Sequence, residues 1–406
     1  MSDRNADEKY MAMALDLAEK GRGLTSPNPM VGAVVVKGGR VVGQGWHKKA
    51  GTSHAEVIAL DAAGKDAEGA SLYVNLEPCC HTDKLTPPCT DALIKARIRR
   101  VVVGMPDPNP KVSGKGVHAL REAGIEVETG VLCERSERLN EAFAKHITTG
   151  MPFVTLKVAQ TLDGKIATST GESKWITGPE ARRLGHFFRN QSDAIIVGIG
   201  TVLRDDPSLT TRIDGIEDTH DPHRIILDSH LRIPLDARVL HVDSAANTYV
   251  ATTVSASTHK MKEIKAGKGE LLIVDTDTEG RVNLSLLLEE LARMGMTSVL
   301  IEGGARVNAE ALRSGVVDKV VFFIAPKLLG GDDARGAIGG KSPDSLDAAV
   351  ILRDVRTQRV GVDILVEGYV SKLAPEEEAA LAEESAAQPE TPKKTSHKRH
   401  RRHKRG

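Results

Sequence analysis

The chain is predicted to fold as two consecutive α/β units, each a sheet with helices on both faces. Helical and strand periodicities alternate from residue 7 to about residue 105, and the alternation restarts after Gly150. The 406 residues with 40% hydrophobic content supply enough chain for two or three domains, each with its own core.

The elements follow in order. Tyr10, Met13, Ala14 and Leu17 fall on one face of a helix over 7–20, which SPNP at 26–29 breaks. Residues 31–46 form two β-rich runs around Lys37-Gly38-Gly39, a hairpin. A helix begins near His54, a strand covers 71–76, a helix 89–98 and a strand 100–105. In the second unit, 152–159 is a strand, 179–191 a helix and 193–200 a strand. Residues 224–228 and 297–304 are further strands, the latter leading into a helix from Asn308, and strands at 320–329 and 362–370 finish the unit. The halves share no internal repeat. These readings divide the chain at 1–148, 149–372 and a tail at 373–406.

Charge and composition exclude several classes. Lys+Arg and Asp+Glu number 55 each, so the net charge is zero. The amino-terminal stretch MSDRNADEKY lacks an apolar signal region, and no apolar run is long enough to span a bilayer, so a cytoplasmic protein with no membrane partner is expected. The tail holds six acidic residues followed by eight basic ones between Lys393 and Arg405. Without it the body has 47 basic and 49 acidic residues, which gives no electrostatic case for nucleic acid there. Low complexity and scarce apolar content predict that the tail is disordered.

Chemistry concentrates around the cysteines. Cys79, Cys80, Cys89 and Cys133 are too few for a disulfide scaffold, and a local cluster in a cytosolic chain points to metal or catalysis. His54-Ala55-Glu56, then Pro78-Cys79, then Cys89, matches the H-x-E…P-C pattern of zinc-dependent base deaminases. One neutral imidazole and two thiolates cancel the ion's charge and leave a position open for water. His54 and Cys89 are expected in the first turns of helices, with a further helix start open to Cys79, where the positive helix end favours thiolate. Glu56, two residues beyond His54, reaches a water in the open position rather than the ion, and can shuttle its proton. The competing reading is a closed structural site with Cys80 or His81 as fourth ligand. One departure stands out: deaminases of this class usually carry C-x-x-C, whereas nine residues separate Cys79 from Cys89 here.

SPNPMVGAVVV (26–36), HAEVIAL (54–60), LEPCCH…TPPC (76–89) and DPNPKVSGKG (107–116) resemble the bifunctional riboflavin-biosynthesis deaminase–reductase family, in which the longer inter-cysteine loop is normal. LKVAQTLDGKIAT (156–168), GESKWITG (171–178), TVLRDDPSLTTR (201–212) and IEGGARVNAEAL (301–312) extend the resemblance to roughly residues 7–372. It implies a cytidine-deaminase-like three-layer domain followed by a dihydrofolate-reductase-like domain. It further implies zinc-dependent deamination of 2,5-diamino-6-(ribosylamino)-4(3H)-pyrimidinone 5′-phosphate, then NADPH-dependent reduction of the ribosyl chain to ribityl. By resemblance, His54, Cys79 and Cys89 hold zinc, Glu56 shuttles protons, and Asn28 and His47 hold the pyrimidine, with Cys80 a bystander. A homo-oligomer formed through the reductase half is also implied.

The second half has no G-x-G-x-x-G, so a Rossmann domain is not indicated. Gly336–Ser342 falls one residue short of a Walker A loop and lacks a preceding strand. IEGGARVN (301–308) combines a strand, a glycine pair and a helix start, so its backbone N–H groups suit a phosphate; an ordinary β–α turn is the bland alternative. By resemblance, Ala159, Trp175, Thr201, Asp205, Ser229 and the run Gly303, Gly304, Ala305, Arg306, Val307 line NADPH. Ser173, Arg189, Leu209, Arg212 and Glu302 contact substrate, the guanidinium fork of each arginine suiting a phosphate dianion. Lys157 and Asp163 receive no role. Two rivals remain: a single-activity zinc deaminase of another nucleotide or RNA with a degenerate reductase half, and a nucleic-acid binder working through Lys393–Arg405.

Overall fold

Why the first half folds as it does is visible in the alternation of Ala33 and Val35 with Val34 and Val36, all buried, which gives one strand two apolar faces to cover. The computed structural model describes residues 4–80, 87–216, 219–267 and 269–371. In chain order the first half holds helix α1 (Arg4–Ala18), β1 (Gly32–Lys37), β2 (Arg40–Trp46), α2 (Ala55–Ala63), β3 (Ser71–Leu76), α3 (Cys89–Lys95), β4 (Arg100–Met105), α4 (Lys115–Glu122), β5 (Glu126–Thr129), α5 (Cys133–Leu139) and α6 (Glu141–Thr149). The five strands run in the order β2-β1-β3-β4-β5, with β1 antiparallel to both neighbours and β3, β4 and β5 mutually parallel. Ala33 and Val35 pack against α2, α3 and α4, and Val34 and Val36 against α1 and Leu139 of α5. The result is a three-layer unit.

The second half begins with β6 (Phe153–Thr161), β7 (Lys165–Ala167), α7 (Pro179–Asn190), β8 (Ala194–Gly198), α8 (Ile199–Asp205) and β9 (His223–Leu227). It continues through β10 (Thr248–Thr252), α9 (Thr258–Ala266), β11 (Glu270–Ile273), α10 (Leu284–Arg293), β12 (Ser298–Ile301), α11 (Ala305–Arg313) and β13 (Lys319–Ala325). Then come β14 (Arg335–Gly336), β15 (Leu352–Val360) and β16 (Asp363–Val370). Nine strands form one sheet in the order β11-β10-β9-β8-β12-β6-β13-β16-β15, parallel as far as β13 and closed by the antiparallel β16-β15 edge. Helices α10 and α11 cover one face; α7, α8 and α9 cover the other.

The sequence left α4, α5, α6, α8, α9, α10, β5, β7, β10, β11, β14 and β15 unassigned. For β15 the reason is physical: residues 353–359 are all exposed on a sheet edge, so LRDVRTQRV carries no buried alternation. The helix expected from Asn308 begins at Ala305, because Gly304 takes the extended N-cap conformation and releases three more residues to the helix. No described helix is long and apolar enough to cross a membrane. The tail, with its expected disorder and its basic run, lies outside the described residues, as does His81.

The halves meet at the amino ends of the second unit's parallel strands. Arg22 donates to Gln191 at 3.1 Å, Ser26 and Thr297 share a hydrogen bond at 3.2 Å, and Lys145 pairs with Asp318. Gly23 sits in the left-handed region at φ +76°, and a Cβ there would lie 2.1 Å from the Asn190 carbonyl oxygen. Gly23→Ala should therefore lower the unfolding free energy by more than the ~1–2 kcal/mol of the left-handed conformation alone. Gly38→Ala, at φ +57° with open space around it, should lose only that smaller part, and urea titration of both variants checks the difference.

Candidate active sites

Strand β3 ends at Leu76, and the four residues after it belong to no helix or strand, so Cys79 is delivered by a loop rather than by a helix start. This corrects the placement of Cys79 in a first turn. Glu77 explains the loop: its buried carboxylate accepts the backbone N–H groups of Asp107 (3.1 Å), Gly114 (2.9 Å) and Val117 (3.0 Å). A charge beside the start of α4 and three donors fix the two residues that follow, Pro78 and Cys79. Sequence reasoning passed over Glu77, although its place immediately before Pro-Cys was the available signal.

His54 is the N-cap of α2 and Cys89 the first residue of α3. His54 Nδ1 lies 3.1 Å from Cys89 Sγ and 3.6 Å from Cys79 Sγ, and the three ligand atoms all lie within 4.8 Å of one another. The Cys89 thiol, hydrogen-bonded to Cys79, draws the Cys79 proton affinity down, and that same contact with burial pushes Cys89 up. Two sulfurs and an imidazole nitrogen so close together form a donor set suited to a cation. Cys80 is half-buried and outside this cluster, its thiol raised by burial.

Glu56 is 3% exposed, its Oε2 has no hydrogen-bond partner, and burial raises its proton affinity. A buried carboxyl with an orphaned oxygen beside this donor set suits a water-bearing ion, and His54, Cys79 and Cys89 fit zinc in ligand type and number. His47 is buried, with its ring 5.6 Å from that of His54 and nearly perpendicular to it. Its Nδ1 donates to the Ser53 carbonyl at 3.3 Å, which leaves Nε2 to accept from the Asn28 amide at 3.2 Å. Asn28 and His47 therefore stand together beside His54. Asn75 and Asn140 hold the Met30 backbone behind them.

The second site lies at the carboxyl ends of the parallel strands, where open α/β sheets place their ligands. Thr201 and Asp205 lie on α8 directly after β8, and Ser229 follows β9, its Oγ accepting the Val282 N–H at 3.1 Å. Ala159 is near the end of β6. Gly303 and Gly304 make the turn from β12 into α11. A Cβ on Gly303 would meet Val307 Cβ at 2.5 Å, so this turn closes only around glycine. No side chain caps α11, which leaves the first N–H groups, at Ala305, Arg306 and Val307, facing the crevice. Trp175 is 65% exposed, with the Arg182 guanidinium 4.5 Å from its ring centroid; Ser173 lies on the same 168–178 segment.

The arginines divide their work. Arg189 clamps Glu302 through two hydrogen bonds of 2.9 and 2.8 Å and donates to the Thr210 carbonyl at 3.1 Å. Lys157, which the sequence left without a role, stands 3.7 Å from the same carboxylate. Burial opposes ionisation of Glu302, but Arg189 and Lys157 outweigh it and hold its carboxyl at about 2. His186, also passed over, is pulled down to about 4 by burial and by Arg189, and it accepts the Arg212 N–H at 3.2 Å. Arg212 itself is exposed, its guanidinium anchored on Ser208 and Thr210 hydroxyls at 2.8 Å each, beside Leu209 at φ +55°. Arg212 is thus the outward-facing fork, whereas Arg189 is largely spent on Glu302.

Residues 4–105 match the model of the cytidine and deoxycytidylate deaminase zinc-binding region, and residues 152–366 that of the RibD C-terminal domain. The chain is 46% identical over 363 residues to the riboflavin biosynthesis protein RibD of Aquifex aeolicus, covering 89% of this chain and 98% of that protein. It is 41% identical over 368 residues to RibD of Escherichia coli, covering 88% and 98%. Among solved structures, Acinetobacter baumannii RibD superposes with a TM-score of 0.80 at 38% identity over 91% of this chain and all of that one. A Thermotoga maritima diaminohydroxyphosphoribosylaminopyrimidine deaminase/5-amino-6-(5-phosphoribosylamino)uracil reductase superposes at 0.76, also at 38% identity, over 91% and 99%.

The geometry separates the neighbouring cysteines. Cys89→Ser should lower zinc content measured by plasma mass spectrometry, whereas Cys80→Ser should retain it. Release of zinc from the Cys80 variant would overturn the three-residue ligand set.

Proposed function

The chain belongs to the RibD family of riboflavin biosynthesis proteins, and we propose that its two halves perform consecutive steps on one pyrimidine ribosyl phosphate. It is a bifunctional deaminase–reductase with zinc and NADPH as cofactors. Residues 1–148 act as the deaminase, 149–372 as the reductase, and 373–406 as an appended tail. The observation that carries the reading is the cluster of His54, Cys79 and Cys89 with the orphaned Glu56 oxygen aimed into the same buried corner.

In the deaminase half, His54, Cys79 and Cys89 would hold zinc, which when bound supplies the Lewis acid that makes water nucleophilic near neutral pH. Asn28 and His47 orient the pyrimidine edge of 2,5-diamino-6-(ribosylamino)-4(3H)-pyrimidinone 5′-phosphate. Glu56, its proton affinity raised by burial, takes one proton from the attacking water and gives it to the ring nitrogen, then carries a second, from the hydroxyl so added, to the departing amine, which leaves as ammonia. In the reductase half the hydride comes from the nicotinamide, so the protein's task is alignment. Ala159, Trp175, Thr201, Asp205, Ser229 and Gly303–Val307 line the cofactor. Ser173, Leu209, Arg212 and Glu302 face the substrate, Arg212 meeting the phosphate and Arg189 holding Glu302 ionised. The rival single-activity deaminase is not favoured, because resemblance to RibD spans both halves.

Two further readings belong here. A homo-oligomer joined through the reductase half is supported by the exposed β15 edge and the adjoining apolar groove of about 460 Å³, where Leu162, Val362 and Ile364 lie exposed. A cytoplasmic location is supported by the four cysteines, all of them free thiols, which suits a reducing compartment.

Incubation with the diaminopyrimidinone ribosyl phosphate should give a product about one mass unit heavier without NADPH, and about two units more with it. A first shift alone would leave the reductase assignment without support. Glu56→Gln should keep its zinc while deamination falls by roughly 10²–10⁴-fold, and reduction of supplied deaminated substrate should persist. Metal loss in that variant would sink the proton-shuttle role.

A further inference from the structure

Between β13 and the exposed stretch before β15, residues 326–340 cross the reductase crevice with almost no secondary structure of their own. Gly330 and Gly331 take φ of +66° and +75°, and Leu328 is 72% exposed, so core burial does not fix residues 328–331, whereas further on β14 pairs with β7, the Ala337 N–H donates to the Gly164 carbonyl at 2.9 Å and Ala337 is buried in the core. Its path is set from outside. Asp163 accepts the Leu329 N–H with both oxygens at 3.2 Å, the Gly330 N–H at 2.7 Å and the Thr161 hydroxyl at 2.5 Å.

The segment is tied at both ends to groups that flank the crevice. At its start, the Lys327 carbonyl accepts the Leu162 N–H at 2.9 Å while Lys327 Nζ donates to the Trp175 carbonyl at 2.8 Å. At its far end, Asn308 Nδ2 donates to the Ala337 carbonyl and the Gly339 N–H donates to the Ala305 carbonyl, both at 2.9 Å. Ala305 is the first residue of α11, whose open N–H groups face the crevice. The strap therefore runs from Trp175 to the turn before α11.

We propose that Asp163 is a positioning residue of the reductase: by pinning Leu329 and Gly330 it sets the strap that holds Trp175 and the start of α11 at one spacing across the cofactor crevice. This rests on the assignment of NADPH to that crevice. Asp163 touches no reacting atom in this role. Its two oxygens accept the Leu329 and Gly330 N–H groups, for which no other acceptor stands among the described residues, and those donors lie beside two glycines at positive φ, ahead of the point where β14 pairs with β7.

The test uses the full chain, with deamination as an internal control of folding. Asp163→Ala should raise the NADPH dissociation constant, read by quenching of NADPH fluorescence, and the NADPH KM by about ten-fold. The kcat at saturating NADPH should change less than about three-fold and deamination should be unaltered. Asp163→Asn, which keeps one carbonyl acceptor for Gly330, should recover part of the affinity. Lys327→Met leaves the pin intact but frees the Trp175 carbonyl, and should raise the NADPH KM by a smaller factor. Unchanged NADPH affinity in Asp163→Ala overturns the proposal, as does a parallel fall of kcat, deamination and melting temperature. Should Asp163→Ala fail to fold, unaltered NADPH affinity in both Asp163→Asn and Lys327→Met overturns it. Failure of the wild-type chain to consume NADPH would refute the reductase reading itself, a separate outcome.

Discussion

Two sulfurs and an imidazole nitrogen brought within 4.8 Å of one another form a donor set that suits a single cation. Much of the first half can be read as the means of assembling it. α2 and α3 each start at a ligand, so the N–H groups of two helix ends point toward the sulfurs. The third ligand arrives on a loop, and a loop is accurate only if something holds it. Glu77 does so by spending its whole carboxylate on backbone donors from the 107–117 segment. The two halves of the signature, one on helices and one on a loop, are thus fixed by different physics.

The reductase half solves a different charge problem. Its substrate and cofactor are both phosphorylated, so a buried carboxylate beside them would be costly unless it is neutralised first. Arg189 and Lys157 neutralise Glu302 within the fold itself, which leaves Arg212 and the uncapped N-terminus of α11 as groups not committed to that carboxylate. Division of labour of this kind cannot be read from residue type. Arg189 and Arg212 look equivalent in a sequence, and only their neighbours separate them.

The strands with buried alternation were legible from residues alone: β3 and β4 span the segments expected, and the hairpin of β1 and β2 falls around Lys37-Gly38-Gly39. So was the metal cluster, because H-x-E and Pro-Cys fix chemistry at fixed spacing. What escaped depends on long-range partners. β15 is exposed along residues 353–359, so no periodicity marks it as a strand. Glu77, Lys157 and His186 are ordinary until folding sets them against backbone donors or against Glu302. Asp163 shows the same limit, since the Leu329 and Gly330 amides that give it a role lie more than 160 residues away.

One constraint then joins the halves. In an open parallel sheet the ligand site occupies the carboxyl ends of the strands, which leaves the amino ends free for packing. The deaminase half docks on those amino ends, through Arg22 to Gln191, Ser26 to Thr297 and Lys145 to Asp318. Thr201, Ser229 and the Gly303–Val307 turn all lie at the opposite edge. A domain docked on that other edge would instead cover the uncapped start of α11 and the turns that follow β8 and β9. By docking on the amino ends, the first half leaves the carboxyl-end edge of the sheet uncovered, and Gly23, which admits the Asn190 carbonyl, lets the two surfaces approach.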